Sequence, residues 1–409
     1  MPPRRTALKR ARGIACVLLA AGATAYCVTP GGEHPARWWK GNTHTHTLWS
    51  DGNAAPERVA DWYRGRGYHF LVLSDHNILS QGERWFPILE AGRLNPGQVE
   101  ELRQRFGADA VQVRDGGDGQ QMRLRTLEEL RGTFEAPGEF SFIQGEEITA
   151  SFEEHPVHVN GLNLEQVIAP RKGSTLRETL QLNVDAVIEH GLSTTRPVLA
   201  HVNHPNFRWG LSWSDVAAVR GERFFEVYNG HSGVRNHGDE DHPGTEEMWD
   251  QALTWRLTET DLGLLYGLAT DDSHEYFQWG VGHTNPGRGW VMVRAGRLEA
   301  DEIVAAMRRG DFYASSGVEL SSIESNSRRM RVRIAAQLGA TYTTRFVGTR
   351  LGSDSIGETL LETGDNPAVY RFRGDELYVR AVVTSSRLHP NPYAQGDFEE
   401  AWVQPVVPR

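Results

Sequence analysis

"LGLLYGLATDDSH", residues 262–274, is an apolar run that ends abruptly in two aspartates, a serine and a histidine. A bounded apolar run without polar alternation is what a strand buried on both faces requires, as in a parallel sheet. Four other stretches share the form: "FLVLSDH" (70–76), "FSFIQGEEI" (140–148), "PVLAHVNHP" (197–205) and "FFEVYNG" (224–230). Between them, "APERVADWYRGRG" (55–67), "TLRETLQLNVDAVIEHG" (175–191) and "GTEEMWDQALTWRL" (244–257) have helical spacing with plausible stops. Strand-helix alternation predicts an α/β fold with a mainly parallel sheet over about residues 38–290, and this many units predict a barrel. In all five runs the His, Asp, Glu or Asn residues gather at the carboxyl end, where α/β barrels and open sheets build their sites.

The chemistry-bearing residues follow from those ends. In "GNTHTHTLWSDG" (41–52), His44 and His46 are two apart, so a strand presents both imidazoles on one side, and Asp51 returns from the following turn. "SDH" supplies His76, with Asp75 placed to orient a ligand histidine. "GEEITASFEEHPVHVNGLN" supplies Glu146, Glu147, His155 and His158. "AHVNHPNF" supplies His201 and His204, the proline predicting an extended backbone at His204. Asp272 and His274 repeat the spacing of His44 and His46. Spacing alone chooses neither between Glu146 and Glu147 nor between His201 and His204.

Cys16 and Cys27 are the two cysteines, both within the first 30 residues, so thiolate ligation is excluded from the rest. His, Asp and Glu donors suit Mn, Zn or Fe, and about nine of them exceed what one ion takes. Two or three divalent ions are expected, the arrangement that activates water for hydrolysis.

Residues 1–30 carry Arg4, Arg5, Lys9, Arg10 and Arg12, no acidic residue, and the short apolar run "GIACVLLAAGATAYCV". This is the layout of an export signal, and "RRTALK" is similar to a twin-arginine signal. A periplasmic or extracellular location is expected, with an N-terminal membrane anchor as the alternative. Without those five cations, 38 of the 43 Lys+Arg stand against 53 Asp+Glu, a charge of about −15, which argues against nucleic acid as a partner. Membrane contact is expected only through the N-terminal segment, and a small molecule is the expected substrate. Residues 93–138 are polar and glycine-interrupted and read as an insertion into the barrel. Residues 291–409 pass through a helix-strand linker, "EADEIVAAMRRGDFYASSG" (299–317), into alternating stretches such as "RMRVRIAA" and "LYVRAVVTSS", which predict a small antiparallel β unit.

"HTHTLWSDG", "SDH", "GEEI" with "HVNGLN", "HP" and "DDSH", in this order, resemble the PHP family, named for polymerase and histidinol phosphatase. The resemblance covers about residues 38–290 and implies a distorted (β/α)7 TIM-like barrel with a two- or three-metal site at the strand ends. It implies His44, His46, Asp51, His76, Glu147, His158, His204, Asp272 and His274 as ligands, and Asp271 as a residue beside them. It selects Glu147 because the family's glutamate precedes a small apolar residue, here Ile148, and His204 for its following proline. The "GEEIT" and "HVNGLN" pairing looks like the branch that includes exported metallohydrolases and aryl-carbamate hydrolases.

The leading expectation is a phosphoesterase using a hydroxide activated by the metal cluster. Arg208 and Arg288 are candidate phosphate donors, ahead of Lys40 and Lys172, and His283 is a candidate acid for the leaving group. The alternative is ester, carbamate or amide hydrolysis of an aromatic substrate, for which Trp49, Trp209, Trp213, Trp279 and Trp290 are candidate pocket walls. A second alternative is a metal-dependent binding protein without turnover. Asn203, Asn206, Glu226, Asn229 and His231 are candidate substrate contacts.

Overall fold

A computed structural model describes residues 35–408, and the expected export signal lies outside the described residues. Among the described residues no helix is long and apolar enough to cross a membrane. The fold is α/β, organised on one mixed sheet of 13 strands. Its strands are β1 (Arg37–Asn42), β2 (Phe70–Leu73), β3 (Ser141–Phe152), β4 (His155–Leu162), β5 (Leu199–Val202), β6 (Phe224–Asn229), β7 (Tyr266–Thr270), β8 (Trp290–Ala295), β9 (Phe312–Ser315), β10 (Tyr342–Arg350), β11 (Glu358–Thr363), β12 (Glu376–Leu388) and β13 (Phe398–Val406). Their order is β7-β6-β5-β4-β3-β2-β1-β8-β9-β13-β12-β10-β11.

The five apolar runs all form strands, and β2, β5, β6 and β7 are buried at every position because helices cover the sheet. The helices Pro56–Gly65, Leu176–Thr194 and Thr245–Glu259 lie where the spacing places them. β1, β2 and β3 are mutually parallel, as are β5, β6 and β7. Between these sets runs β4, antiparallel to both neighbours, built from the "HVNGLN" stretch. That hairpin carries Glu147 and His158 on adjoining strands.

Among the described residues the segments that follow β7 and β1 meet in a single parallel bridge, Thr45 with Ser273, where the Asp272 N–H donates to the His44 carbonyl and the His46 N–H to the Ser273 carbonyl, both at 3.0 Å. At its amino end β7 is also tied to β13 by a side chain: Gln404 accepts from the Gly267 N–H (3.0 Å) and donates to the Gly267 carbonyl (2.8 Å). The strands after residue 290 continue the large sheet through β8, antiparallel to β1. A separate three-stranded sheet, Leu320–Asn326, Arg329–Ile334 and Ala368–Arg371, packs against it.

Residues 85–134 form a small unit with its own sheet (Trp85–Pro87, Val113–Gly116, Gly119–Arg123) and two helices, Pro96–Phe106 and Leu127–Phe134. Its apolar cluster of Leu94, Val99, Leu102, Met122 and Leu124 also takes in Leu48 and Trp49. Trp49 is therefore core, 1% exposed, and not a pocket wall.

β1 and β2 approach so closely at Gly41 that a Cβ there would fall inside the Phe70 ring. Gly41→Ala is expected to cost about 1–3 kcal/mol, since a well-packed core rejects even one added carbon. Urea unfolding checks this, and an unchanged midpoint would contradict it.

Candidate metal centre

All nine candidate ligands converge at the carboxyl ends of the parallel strands, in four overlapping groups whose ligand atoms lie within 4.8 Å of one another. His46, Asp51, His76 and His274 form one group. His44, His46 and Glu147 form a second; His44, His204 and Asp272 a third; Glu147, His158 and His204 a fourth.

The innermost atoms are spaced as a metal requires. His44 Nε2 and His46 Nε2 each lie 3.4 Å from Glu147 Oε2, and 3.2 and 3.1 Å from Asp272 Oδ1. Metal–ligand bonds of about 2.0–2.2 Å place the corners of a tetrahedron about 3.3–3.6 Å apart. His44 Nε2, His46 Nε2 and Glu147 Oε2 are buried and make no hydrogen bond. Buried polar atoms are rarely left unpaired, and three facing one another are what a cation would satisfy. The donor set thus fits divalent metal ions.

Glu147, 1% exposed, divides its oxygens between two sides. Oε2 faces His44, His46 and, at 2.8 Å, His76 Nδ1. Oε1 faces His158 Nδ1 (2.9 Å) and His204 Nε2 (3.2 Å), and accepts from Asn203 Nδ2 (2.9 Å). Burial opposes its charge, but His76, His44 and His158 outweigh that and hold the carboxyl well below its usual range. Burial, with His274 and His76 nearby, pushes His46 down to about 3, keeping the ring neutral as a ligand must be.

His44 is oriented from behind. Its Nδ1 donates to Glu226 Oε1 at 2.7 Å, which turns the Nε2 lone pair toward Glu147 and Asp272. Glu226 also accepts from Thr270 Oγ1, Asn229 Nδ2 and the His204 N–H. Burial opposes ionisation of Glu226, but His44, His201 and His204 bring it down to about 2.

Two ligand candidates sit in strained backbone: His204 at φ 22° and Asp272 at φ 47°. The extended conformation expected before Pro205 is not adopted, because the His204 N–H turns inward to Glu226 Oε2 at 2.8 Å. Such strain persists where surrounding bonds over-determine it, and it concentrates at functional sites.

Asp75 does not orient a histidine. Its carboxylate accepts from the Thr47 N–H and hydroxyl and the Ser50 hydroxyl, fastening the turn that leads to Asp51. Thr149, which no sequence signal singled out, holds His76 Nδ1 at 2.5 Å. Glu146 points away from the cluster and accepts from the Ile168 N–H. His201 lies fully buried below His44, with neither ring nitrogen bonded. Asp271 accepts from Tyr63 and from the Arg288 and Gly289 N–H groups.

The other candidates fall in different places. Arg288 is fully buried, and its guanidinium donates to the carbonyls of Gly230, Gly280, His283 and Asn391, tying loops together rather than offering donors to a substrate. His283 Nδ1 pairs with Glu275 at 3.0 Å. Lys40 lies over the faces of Tyr68 and Trp290. Arg208 is exposed and covers Phe207, whose ring meets His204 (centroids 5.2 Å) and His158 (6.4 Å). Trp209 stacks on His242, and Trp279, 46% exposed, on Trp62. His231 accepts the Gly233 N–H at Nδ1 and stands edge-on to His274.

No family model matches the chain, and no curated protein does. Among solved structures, it is similar to a two-domain protein from Bacteroides vulgatus containing a predicted PHP-like metal-dependent phosphoesterase, at 14% identity over 94% of this chain and 100% of that one, with a TM-score of 0.40. It is also similar to an amidohydrolase from Chromobacterium violaceum with bound sulfate and no metal, at 14% identity over 57% of this chain and 87% of that one, with a TM-score of 0.29.

Proposed function

We propose that this chain is a metal-dependent hydrolase of the PHP type, acting as a phosphoesterase. The observation that carries the reading is the convergence of nine carboxylate and imidazole side chains around three buried, unbonded ligand atoms. Two or three divalent ions bound there would acidify a water molecule and neutralise charge on the phosphoester. His44, His46, Glu147 and Asp272 would hold the inner ion. Glu147 spans to His158 and His204, while Asp51, His76 and His274 complete the outer side. Glu226 keeps His44 in the tautomer that binds through Nε2. Arg208, which has no carboxylate partner among the described residues, extends over Phe207 beside His204, where a guanidinium can take anionic phosphate oxygens. On this reading the parallel strands, with β7 drawn toward β13, form a distorted (β/α)7 barrel, and the N-terminal segment exports the folded, metal-loaded enzyme.

The half-buried ring of Phe207 against His204 and His158 favours a second reading, hydrolysis of an aryl ester, carbamate or amide by the same groups. Metal analysis of the purified protein, with p-nitrophenyl phosphate, a phosphodiester and an aryl carbamate as substrates, separates the two. Phosphatase activity that His44→Ala abolishes is the expected result. Activity indifferent to His44→Ala refutes the mechanism, carbamate cleavage alone selects the second reading, and stoichiometric metal without turnover leaves a binding protein.

A further inference from the structure

Asp51 is unlike the other candidate ligands: its side chain is 53% exposed, and it stands at the tip of a turn rather than on or beside a strand end packed in the core. A carboxylate so placed binds weakly unless the turn itself is held, because ordering it would draw on the binding energy. The side of the turn leading in from β1 is held by Asp75, as described. The other side is held by the small unit of residues 85–134. Arg93 Nη1 donates to the carbonyls of Ser50 (2.7 Å) and Gly52 (3.0 Å), the two residues that flank Asp51. The guanidinium is braced over the Phe86 ring, 5.0 Å from its centroid. Leu48 and Trp49 are inserted into the unit's apolar cluster, and Trp49 Nε1 donates to the Arg125 carbonyl at 2.9 Å. Asp51 Oδ1 then faces His274 Nε2 (3.2 Å), with the Ser50 hydroxyl donating to it at 3.3 Å, and Oδ2 faces His76 Nε2 (3.3 Å).

We propose that the unit of residues 85–134 is a clasp for the outer metal group, with Arg93 as the positioning residue that fixes Asp51 opposite His76 and His274. The inference rests on the metal reading above and adds to it a function for the insertion. Arg93 touches backbone and not the ions, so its removal should act on one binding event and leave the inner ligands intact. The loss expected for a group that orients a ligand is about 10- to 100-fold in metal affinity.

The test is a titration of metal-free full-length protein with Mn2+, following the electron paramagnetic resonance signal of the unbound ion, which needs no turnover. Wild type, Arg93→Ala, Arg93→Lys and Arg114→Ala are compared, Arg114 being an exposed arginine of the same unit that bonds Gln121 instead of the turn. Arg93→Ala is expected to weaken the most weakly held equivalent about 10- to 100-fold, to leave the tighter binding and the metal-free melting temperature unchanged, and to be partly rescued by Arg93→Lys. Arg114→Ala should match wild type. A wild type that binds while Arg93→Ala gives the same isotherm overturns the clasp alone. So does an Arg93→Ala protein that weakens every equivalent and melts earlier, since Arg93 would then be a general packing contact. A wild type that takes up none of Mn2+, Zn2+ or Fe2+ overturns the metal reading and the clasp together.

Discussion

Glu147→Gln is expected to lose bound metal and at least about 10³-fold in turnover while remaining folded. The substitution preserves shape but removes the one carboxylate that faces His44, His46 and His76 with one oxygen and His158 and His204 with the other. An amide also turns an N–H toward imidazole nitrogens that must offer lone pairs. Metal ions contribute several kcal/mol of charge stabilisation to hydrolysis, and each 1.36 kcal/mol is about tenfold in rate, so losing them sets the scale. Metal content by emission spectroscopy and kcat on p-nitrophenyl phosphate check the result. Glu146→Gln is the matched comparison: its carboxylate accepts from Ile168 instead of facing the cluster, so metal and turnover should survive. A Glu147→Gln protein that keeps its metal and most of its activity would refute the bridging role.

Asp250→Ala is expected to have the largest effect on stability, about 3–5 kcal/mol, read as a fall in the urea midpoint. Asp250 lies on the helix Thr245–Glu259 and Arg380 on β12, and both are almost wholly buried. Arg380 Nε and Nη2 each donate to Asp250 at 2.7 Å, and Tyr378 OH donates to it at 2.8 Å. Removing one partner of a buried pair leaves a desolvated charge behind, which is costlier than never having the pair. The double substitution Asp250→Leu, Arg380→Met should therefore recover most of the loss. A single variant that costs under about 1 kcal/mol would show that the half-exposed Glu246, 3.2 Å from Arg380, suffices.

The strands and the candidate ligand set were legible because each rests on a local rule. Bounded apolar runs gave β2, β5, β6 and β7, and polar residues at their ends gave candidate ligands whose side chains meet in space. What escaped depends on pairing between distant segments. "HVNGLN" carries no sign that it runs against its neighbours, and nothing near Gly145 or Leu199 in the chain announces it. Arg288, between glycines, has the look of a phosphate donor. Only the fold shows its guanidinium filled by four carbonyls from three loops. Glu226 is the reverse case: a carboxylate inside an apolar strand is a conspicuous anomaly, yet its service to His44, 182 residues earlier, is invisible until the strands align. Asp75 was misjudged because adjacency to His76 in the chain put their side chains on opposite faces of an extended backbone.

The amide bridge from Gln404 to Gly267 makes the order of synthesis matter. The two residues are 137 positions apart, so at about 5–20 residues per second β7 would wait roughly 7–27 s for the strand that fastens it. During that interval Asp272 and His274, just beyond β7, are already held to the segment after β1, the Asp272 N–H donating to the His44 carbonyl and the Asn53 N–H to the His274 carbonyl, while the Gly267 end of β7 lacks its partner. The last strand of the chain thus completes a seam at the amino end of β7, away from the candidate ligands, and a chain cut short before residue 404 would hold every one of those side chains while leaving that seam unfastened.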